Sequence, residues 1–223
     1  MKTVLFCAYR EWALEIYDYI KERYVDKADL KLVKTENDFK KTIVRVKPDL
    51  ILFVWWSWIV SRDIVDKYRC VCLHPSPLPK YRGGSPLQHQ IISGEKESAV
   101  TLFVMNERLD AGPIVWQEAF SLDGDLDMIF SRVMEKGKKG VSKVMEMALK
   151  DDEIKGVAQD ESKATSFRRR TPAQSEISAS DFRDCTAEQL YNKIRALQDP
   201  YPNAFIVCKD NTKLKIQKAK VGK

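Results

Sequence analysis

The chain has 223 residues, of which 44% are hydrophobic and 31% are charged. That balance is typical of a globular protein and excludes a chain that is disordered throughout. The 38 Lys and Arg residues outnumber the 32 Asp and Glu residues, giving a formal net charge of +6. This small excess suits an anionic ligand but does not by itself indicate nucleic-acid binding.

The N-terminal half alternates predicted strands with predicted helices. Strands are expected at residues 3–8, 30–34, 49–54 and 70–74, and helices at residues 11–24 and 38–46. The strand at 70–74 leads into a Pro/Gly-rich loop, and a helix follows with Pro86 suited to its first position. The alternation predicts an α/β fold with a mostly parallel sheet flanked by helices.

The second half adds strands at 100–105 and 114–120 and a long amphipathic helix at 126–149. Residues 150–171 are polar and basic, and form either a linker or an ordered arm. A helix at 187–197 and short strands at 205–207 and 213–216 follow. We expect a catalytic domain over residues 1–165 and a short α+β C-terminal subdomain over residues 166–223.

The N-terminus and the cysteines favour a reduced, cytoplasmic protein. The apolar run at 3–8 is short and is followed at once by Tyr9, Arg10 and Glu11, unlike a signal peptide. The longest apolar stretch, at 50–60, falls short of the roughly 20 residues that a membrane span needs. The five cysteines lack the spacing of a disulfide scaffold. We expect no membrane partner.

The loop after the strand at 70–74 carries the chemistry-bearing residues. His74 lies at the carboxyl end of that strand, where open α/β sheets bind ligands. Lys80 and Arg82 suit a phosphate, and Gly83 allows the backbone to approach a ligand closely. Asp110, after a later strand, could orient an imidazole that acts as a base. A polar loop histidine without a chemical role and a turn-forming aspartate are the alternatives.

Together these segments resemble the folate-dependent formyltransferases, whose pattern is N-x-H-x-S-L-L-P, a basic Y-R-G loop and a later D-x-G. The matching segments here are CLHPSPLP at 72–79, KYRG at 80–83 and LDAG at 109–112. Two further segments, SFRRRTPAQS at 166–175 and IRALQDPYPNAF at 194–205, are similar to the sugar-nucleotide N-formyltransferases of the pseudaminic-acid and aminoarabinose pathways. The resemblance implies a Rossmann-like sheet. It disfavours the glycinamide ribonucleotide type, which stops before the second segment, and the methionyl-tRNA type, which continues into a longer barrel.

The resemblance also implies catalytic roles. His74 handles the proton of the attacking amine, Asp110 orients His74, and Cys72 stands where the family has an oxyanion-donating asparagine. A thiol is a poor substitute for a carboxamide N–H. The oxyanion donor could instead be protonated His74, backbone N–H groups or Gln88. Cys72 could also be a nucleophile that carries a formyl thioester, or the chain could be an inactive relative.

The remaining expected site residues fall into a donor set and an acceptor set. The folate donor is expected among Trp56, Trp58, Ile59, Val60, Met105, Leu109 and Asp110, whereas Trp55 is expected in the core or at a dimer interface. The acceptor is expected among Ser76, Lys80, Tyr81, Arg82, Gly83, Gln88, Arg169 and Arg170. No metal is expected. Cys70, Cys72 and His74 share one strand face and could hold zinc with Asp110, but their spacing is unusual for such a site.

We therefore predict a cytoplasmic homodimer that transfers a formyl group from 10-formyltetrahydrofolate to a UDP- or dTDP-linked 4-amino-deoxy sugar for surface polysaccharide synthesis. A pseudaminic-acid-type sugar is favoured, and no nucleic-acid partner is expected. The alternatives are a formyltetrahydrofolate hydrolase and a non-catalytic nucleic-acid-binding relative. Water needs no phosphate anchors, which argues against the hydrolase.

Overall fold

The computed structural model describes residues 1–150 and 152–222. One six-stranded sheet organises most of the chain, in the order β2-β1-β3-β4-β6-β7. Its strands are β1 (Lys2–Cys7), β2 (Ala28–Val33), β3 (Leu50–Val54), β4 (Cys70–His74), β6 (Glu97–Val104) and β7 (Ile114–Ser121). The first four pair in parallel, whereas β6 and β7 run antiparallel to their neighbours. The predicted α/β class with a mostly parallel sheet is confirmed.

Helices cover both faces of this sheet. They are α1 (Glu11–Tyr24), α2 (Glu36–Val46), α3 (Arg62–Lys67), α4 (Pro86–Ile92) and α5 (Leu126–Leu149). Side chains that alternate along a strand reach opposite faces, so the buried residues around this sheet divide into two clusters. Val4 and Phe6 pack with α1 and α5, whereas Leu5 and Cys7 pack with Phe39 and Ile43 of α2. The larger cluster is the main core. The smaller one is called the β3–β4 cluster below, because Phe53 and Cys70 belong to it.

The long helix α5 begins and ends where its apolar periodicity predicts. The carboxylate of Asp125 caps it by accepting a hydrogen bond from Met128 N at 3.0 Å. Gly140 allows the helix to lie close to the sheet, because a Cβ there would lie 2.4 Å from Leu102 Cδ1 and 2.5 Å from Trp116. Helix α3 was not predicted, because its six residues are too few to show a helical period.

The chain after α5 is ordered and returns to the main body. A two-residue strand β8 (Ser166–Phe167) pairs with β5 (Arg82–Gly83) of the Pro/Gly-rich loop. Helices α6 (Asp181–Asp184) and α7 (Ala187–Arg195) and the hairpin β9 (Ala204–Val207) and β10 (Lys213–Ile216) follow. Arg195 Nη1 donates to the carbonyls of Leu122 and Gly124, which fastens this part to the main body. Of the alternatives left open for residues 150–171, the ordered arm is the correct one over residues 152–171, and residue 151 lies outside the described residues.

Among the helices of residues 1–150 and 152–222, none has the length and apolar character needed to cross a lipid bilayer.

Candidate active site

His74 is buried at the carboxyl end of β4, in the middle of the sheet. Its Nε2 lies 2.8 Å from the backbone oxygen of Tyr81. A carbonyl oxygen only accepts, so this contact assigns the proton of the neutral ring to Nε2. Nδ1 is then the ring nitrogen with a free lone pair. His74 is therefore held in the tautomer that can take up a proton at Nδ1.

The carboxylate of Asp110 faces this free nitrogen. Asp110 Oδ2 lies 3.6 Å from His74 Nδ1 and accepts a hydrogen bond from Gly83 N at 2.8 Å. The separation is too long for a direct hydrogen bond, but it is close enough for a carboxylate to stabilise a positive charge on the ring. The predicted proximity of His74 and Asp110 is present. The pair can accept a proton and balance the resulting charge.

Cys72 shares the β4 face of His74, two residues earlier. Burial is the main cause that raises the pKa of its thiol well above the usual value, and the nearby charge of Asp110 adds to the effect. The thiol therefore stays protonated at neutral pH, whereas a nucleophilic cysteine needs its thiolate. The thiol donates a weak hydrogen bond to the Leu73 carbonyl, with 3.7 Å between the sulfur and the oxygen. This environment argues against a formyl thioester.

Cys70, Cys72, His74 and Asp110 do not gather into a metal site. Throughout residues 1–150 and 152–222, no three His, Cys, Asp or Glu side chains form a group that could hold a metal ion. Cys70 instead packs as an apolar group in the β3–β4 cluster.

The rigid loop after His74 is held by polar side chains, of which Thr101 and Gln90 are buried. Thr101 Oγ1 donates to the carbonyl of Ser76, Gln117 Nε2 donates to that of Leu78, and Gln90 Nε2 donates to that of Pro75. Ser76 itself is completely buried, and its hydroxyl donates to the Lys80 carbonyl at 2.9 Å. Its hydroxyl thus closes the loop, and the assignment of Ser76 to acceptor binding stays a prediction.

Tyr81 and Arg82 have partners within the chain. The Tyr81 ring stacks on Phe167, and its hydroxyl donates to Glu95 at 2.7 Å. Arg82 is buried, and its guanidinium donates to Gln159 and Glu161. Both side chains thereby hold the loop after His74 in place. Their assignment to acceptor binding stays a prediction.

The arm at residues 164–170 explains this burial. Its backbone pairs with the loop after His74. Arg82 N donates to Thr165 O, and Gly84 N donates to Phe167 O, each at 2.9 Å. Gly83 has a φ of 93°, and a Cβ there would lie 2.3 Å from Phe167 O. The space beside the Gly83 Cα is thus filled by the arm. The assignment of Gly83 to acceptor binding stays a prediction.

A second set of cations lies around the same loop, without carboxylate partners among the residues that the structure describes. Lys80, Arg168 and Arg169 are exposed. Arg170 is half-buried, and burial lowers the pKa of its guanidinium. Its Nη2 donates to the Gln174 carbonyl, whereas its buried Nε has no hydrogen-bond partner. We call Lys80 and Arg168–Arg170 the rim cations.

Three of the expected donor residues pack against the same cluster as Cys72. Trp56, Val60 and Met105 contact the β3–β4 cluster, as Cys72 does. Trp58 packs on Trp56, with ring centroids 4.6 Å apart. Arg62, the first residue of α3, forms an ion pair of 3.0 Å with Glu107 in the loop after β6.

Other residues near this edge divide between exposed and buried positions. Ile59 and Leu109 are 92% and 70% exposed. Trp55 packs against the main core, as expected. Gln88 is buried in α4, and no hydrogen bond joins it to Cys72 or His74.

Two residues of this region escaped the sequence analysis. Gln159 accepts hydrogen bonds from Arg82 and donates to the backbone of Asp110 and Gly112. Glu161 forms ion pairs with both Arg82 and Arg108. The hydrogen bond from Arg82 has the largest effect and that from Arg108 the next, and together they lower the pKa of Glu161 to about 2. A single glutamine and a single glutamate in a polar stretch give no local signal. The available clue is the position of Arg82 inside a rigid loop. An arginine that is buried there needs hydrogen-bonding partners elsewhere in the chain.

Two sequence families match the chain. The family described as formyl transferase matches residues 14–145, and the formyl transferase C-terminal domain matches residues 171–223. The chain belongs to the formyl transferase family. The predicted family and enzyme class are thereby confirmed.

Individual relatives divide over the substrate. A methionyl-tRNA formyltransferase of Syntrophomonas wolfei is 32% identical over 196 residues, which are 85% of this chain and 59% of that protein. A solved methionyl-tRNA formyltransferase from Clostridium thermocellum is 29% identical, with a TM-score of 0.84, and the match covers 100% of this chain and 94% of that one.

Two solved structures of lower identity share the fold. A sugar N-formyltransferase from a Shewanella species has a TM-score of 0.79 at 19% identity, and the match covers 100% of both chains. HypX from Aquifex aeolicus, in complex with tetrahydrofolic acid, has a TM-score of 0.76 at 22% identity, over 91% of this chain and 35% of that one.

The lengths of these relatives bear on the predicted substrate. The chain spans 50% to 61% of the lengths of several curated methionyl-tRNA formyltransferases that it matches. The match to the solved Clostridium structure, in contrast, covers 94% of that chain. The preference for the sugar type over the methionyl-tRNA type stays a prediction.

Proposed function

We propose that this chain transfers the formyl group of 10-formyltetrahydrofolate to the amino group of a UDP- or dTDP-linked 4-amino-deoxy sugar, with a pseudaminic-acid-type sugar favoured. The observation that carries the reaction type is the His74–Asp110 pair. It provides one free ring nitrogen, at the carboxyl end of a central strand, with a carboxylate 3.6 Å away. Formyl transfer to an amine needs a proton acceptor of this kind.

The proposed reaction follows from these positions. The amine lone pair attacks the formyl carbon, which forms the new C–N bond and moves a pair of electrons onto the carbonyl oxygen. His74 Nδ1 takes the proton that the attacking nitrogen loses, and Asp110 balances the charge on the ring. The tetrahedral intermediate then breaks the bond to the donor nitrogen, which receives the proton from His74. The products are the formamide and tetrahydrofolate.

The oxyanion in this sequence of steps lacks the carboxamide donor of the family pattern. The Cys72 thiol offers only a weak S–H, which its environment keeps protonated. Protonated His74 is the stronger donor near the reacting carbon. Removing one oxyanion donor typically costs about 10²–10³ in rate, so we expect a slow enzyme unless the backbone compensates.

The donor side fits a flat heterocycle. Trp56, Val60 and Met105 form an apolar wall next to Cys72, and Ile59 and Leu109 expose large apolar side chains on loops joined by the Arg62–Glu107 pair. Apolar and aromatic walls are typical of cofactor sites. The tetrahydrofolic acid complex of HypX, which shares the fold, agrees with a folate here.

The acceptor side is supported by the rim cations. Arg170 is a half-buried cation with an unpartnered Nε, and such a group is stabilised when an anion approaches. Arg169, its neighbour in sequence, and Lys80, in the loop after His74, are exposed and carry no carboxylate partner within the described residues. A diphosphate of a nucleotide sugar is an anion of suitable charge.

Methionyl-tRNA is a second candidate acceptor. It is favoured by the relatives of that name and by the last 20 residues, which carry six lysines and one aspartate. A basic C-terminal segment suits a polyanion.

One assay separates the two candidates. Purified protein and 10-formyltetrahydrofolate are incubated with UDP- and dTDP-linked 4-amino sugars and, in parallel, with methionyl-tRNA. Formylation of a nucleotide sugar supports the proposal. Formylation of methionyl-tRNA alone overturns the sugar assignment, and release of formate without any acceptor supports the hydrolase alternative.

A further inference from the structure

The side chain of Gln159 uses its full hydrogen-bonding capacity. Its Oε1 accepts from Arg82 Nε at 3.1 Å and from Arg82 Nη2 at 2.7 Å. Its Nε2 donates to the backbone oxygens of Asp110 at 2.9 Å and Gly112 at 2.7 Å. A primary amide has two N–H donors and two lone pairs, so all four positions are used.

These contacts close a ring around the catalytic aspartate. Arg82 binds Gln159, Gln159 binds the Asp110 backbone, and the Asp110 carboxylate binds the N–H of Gly83, the neighbour of Arg82. Asp110 has a φ of 51°, a left-handed conformation that a non-glycine residue keeps only when its surroundings hold it. The Gln159 amide supplies part of that restraint.

We propose that Gln159 is a positioning residue that keeps the Asp110 carboxylate opposite His74 Nδ1. This inference rests on the proposed function, in which His74 takes a proton. When the two donated hydrogen bonds are lost, the turn at residues 109–112 relaxes and the carboxylate moves away from the ring. The positive charge on His74 then loses part of its stabilisation.

The other ionisable groups near His74 do not replace Asp110. The Cys72 thiol on the same strand stays protonated. Arg82 lies behind the loop, where Glu161 matches its charge, and Lys80 is exposed. Among the described residues, Asp110 is therefore the carboxylate that faces His74, and its placement controls how easily the ring is protonated.

A histidine NMR measurement tests the inference without using activity. The chain has two histidines, so His89 serves as an internal reference. We expect Gln159→Ala to change the ring ¹⁵N chemical shift of His74 Nδ1 at a fixed pH, because the carboxylate that faces this nitrogen moves away. The ring shifts of His89 should not change. In the transfer assay, kcat should fall about tenfold, with KM changed by less than about threefold.

A matched control and a second variant keep the test decisive. Gln198 also uses both ends of its amide, toward Leu126 N and the Gln217 carbonyl, so Gln198→Ala should leave His74 unchanged. Gln159→Met fills the same space without charge and replaces the alanine variant if that does not fold. An unchanged His74 ring shift in the folded Gln159 variant overturns the inference. A wild type that formylates no amine overturns the proposed function instead, and the NMR comparison still decides the placement of Asp110.

Discussion

Arg82 and the rim cations lie in neighbouring segments and carry the same charge, yet their surroundings differ completely. Arg82 is buried, and its five-donor guanidinium is bound to Gln159 and Glu161. Lys80, two residues earlier, is exposed, and neither it nor Arg169 has a carboxylate partner among the residues described. A buried cation with partners holds the loop, whereas a cation without partners remains available to an anionic ligand. Charge and spacing alone do not distinguish these roles.

The largest expected effect is on the rate of formyl transfer, and it tests whether His74 and Asp110, beside the loop that Arg82 holds, carry out the reaction. We expect His74→Ala or Asp110→Asn to lower kcat by about 10²–10⁴, the range of general acid–base catalysis. Formylation rate and thermal unfolding are measured together, with exposed Asp26→Asn as the matched control. Turnover at the wild-type level in a correctly folded His74→Ala protein would contradict the assignment of the base.

The next prediction compares how much the protein is destabilised when Arg82 or a rim cation is replaced by alanine. Arg82→Ala removes several charge-assisted hydrogen bonds from a buried site, and we expect a loss of about 2–3 kcal/mol in the free energy of unfolding. Arg169→Ala should stay within about 0.5 kcal/mol, as exposed substitutions usually do. Urea denaturation of both variants measures the difference. Equal effects of the two substitutions would remove the contrast between the two sets.

The same contrast predicts the opposite order for acceptor binding. Lys80→Ala should raise KM for the acceptor about tenfold, since one charge-assisted contact contributes roughly 1.5–3 kcal/mol. The affinity for the folate donor should be nearly unchanged, because the donor residues lie beside Cys72. Lys143→Ala, exposed on α5, is the matched control. A donor affinity that falls together with acceptor affinity would show that Lys80 does not belong to an acceptor rim.

The sequence predicted this site where local signals exist. The strand Cys70–His74 and the helix Leu126–Leu149 have the predicted bounds, because their apolar patterns are long and uninterrupted. His74 and Asp110 were brought together by the resemblance to the family pattern and not by strand order. Because β4 and β6 are antiparallel, their carboxyl ends lie at opposite edges of the sheet, and Asp110 reaches His74 from the loop between β6 and β7. The partners of Tyr81 and Arg82 could not be predicted. They include Phe167 and Gln159, about eighty positions later, and no local pattern reports those contacts.

Cys72 is the position near His74 where the sequence departs from the family pattern, which has an asparagine there. We expect Cys72→Ser to keep activity within about threefold, because the raised pKa keeps the thiol out of covalent chemistry. Cys72→Asn should raise kcat, by at most about tenfold, since it adds a carboxamide donor. Rates and intact-protein mass spectra check both. An inactive Cys72→Ser variant, together with a formyl adduct trapped on the wild type, would establish the covalent route.

The smallest effect concerns Glu161, the acid partner of Arg82. Hydrogen bonds from Arg82 and then Arg108 lower its pKa to about 2 in the folded protein, whereas an unfolded glutamate titrates near about 4.3. The folded state therefore binds fewer protons in this window. The stabilisation from Glu161 is complete above about pH 4.3 and is lost as the pH falls toward about 2. Because the side chain is half-exposed, solvent and salt screen the interaction and keep it small.

The difference in unfolding free energy between wild type and Glu161→Gln should accordingly be constant above about pH 5 and shrink on acidification. Exposed Glu153→Gln should show no such dependence, and a wild-type advantage that grows toward pH 2 would mean that Glu161 does not carry the charge that balances Arg82.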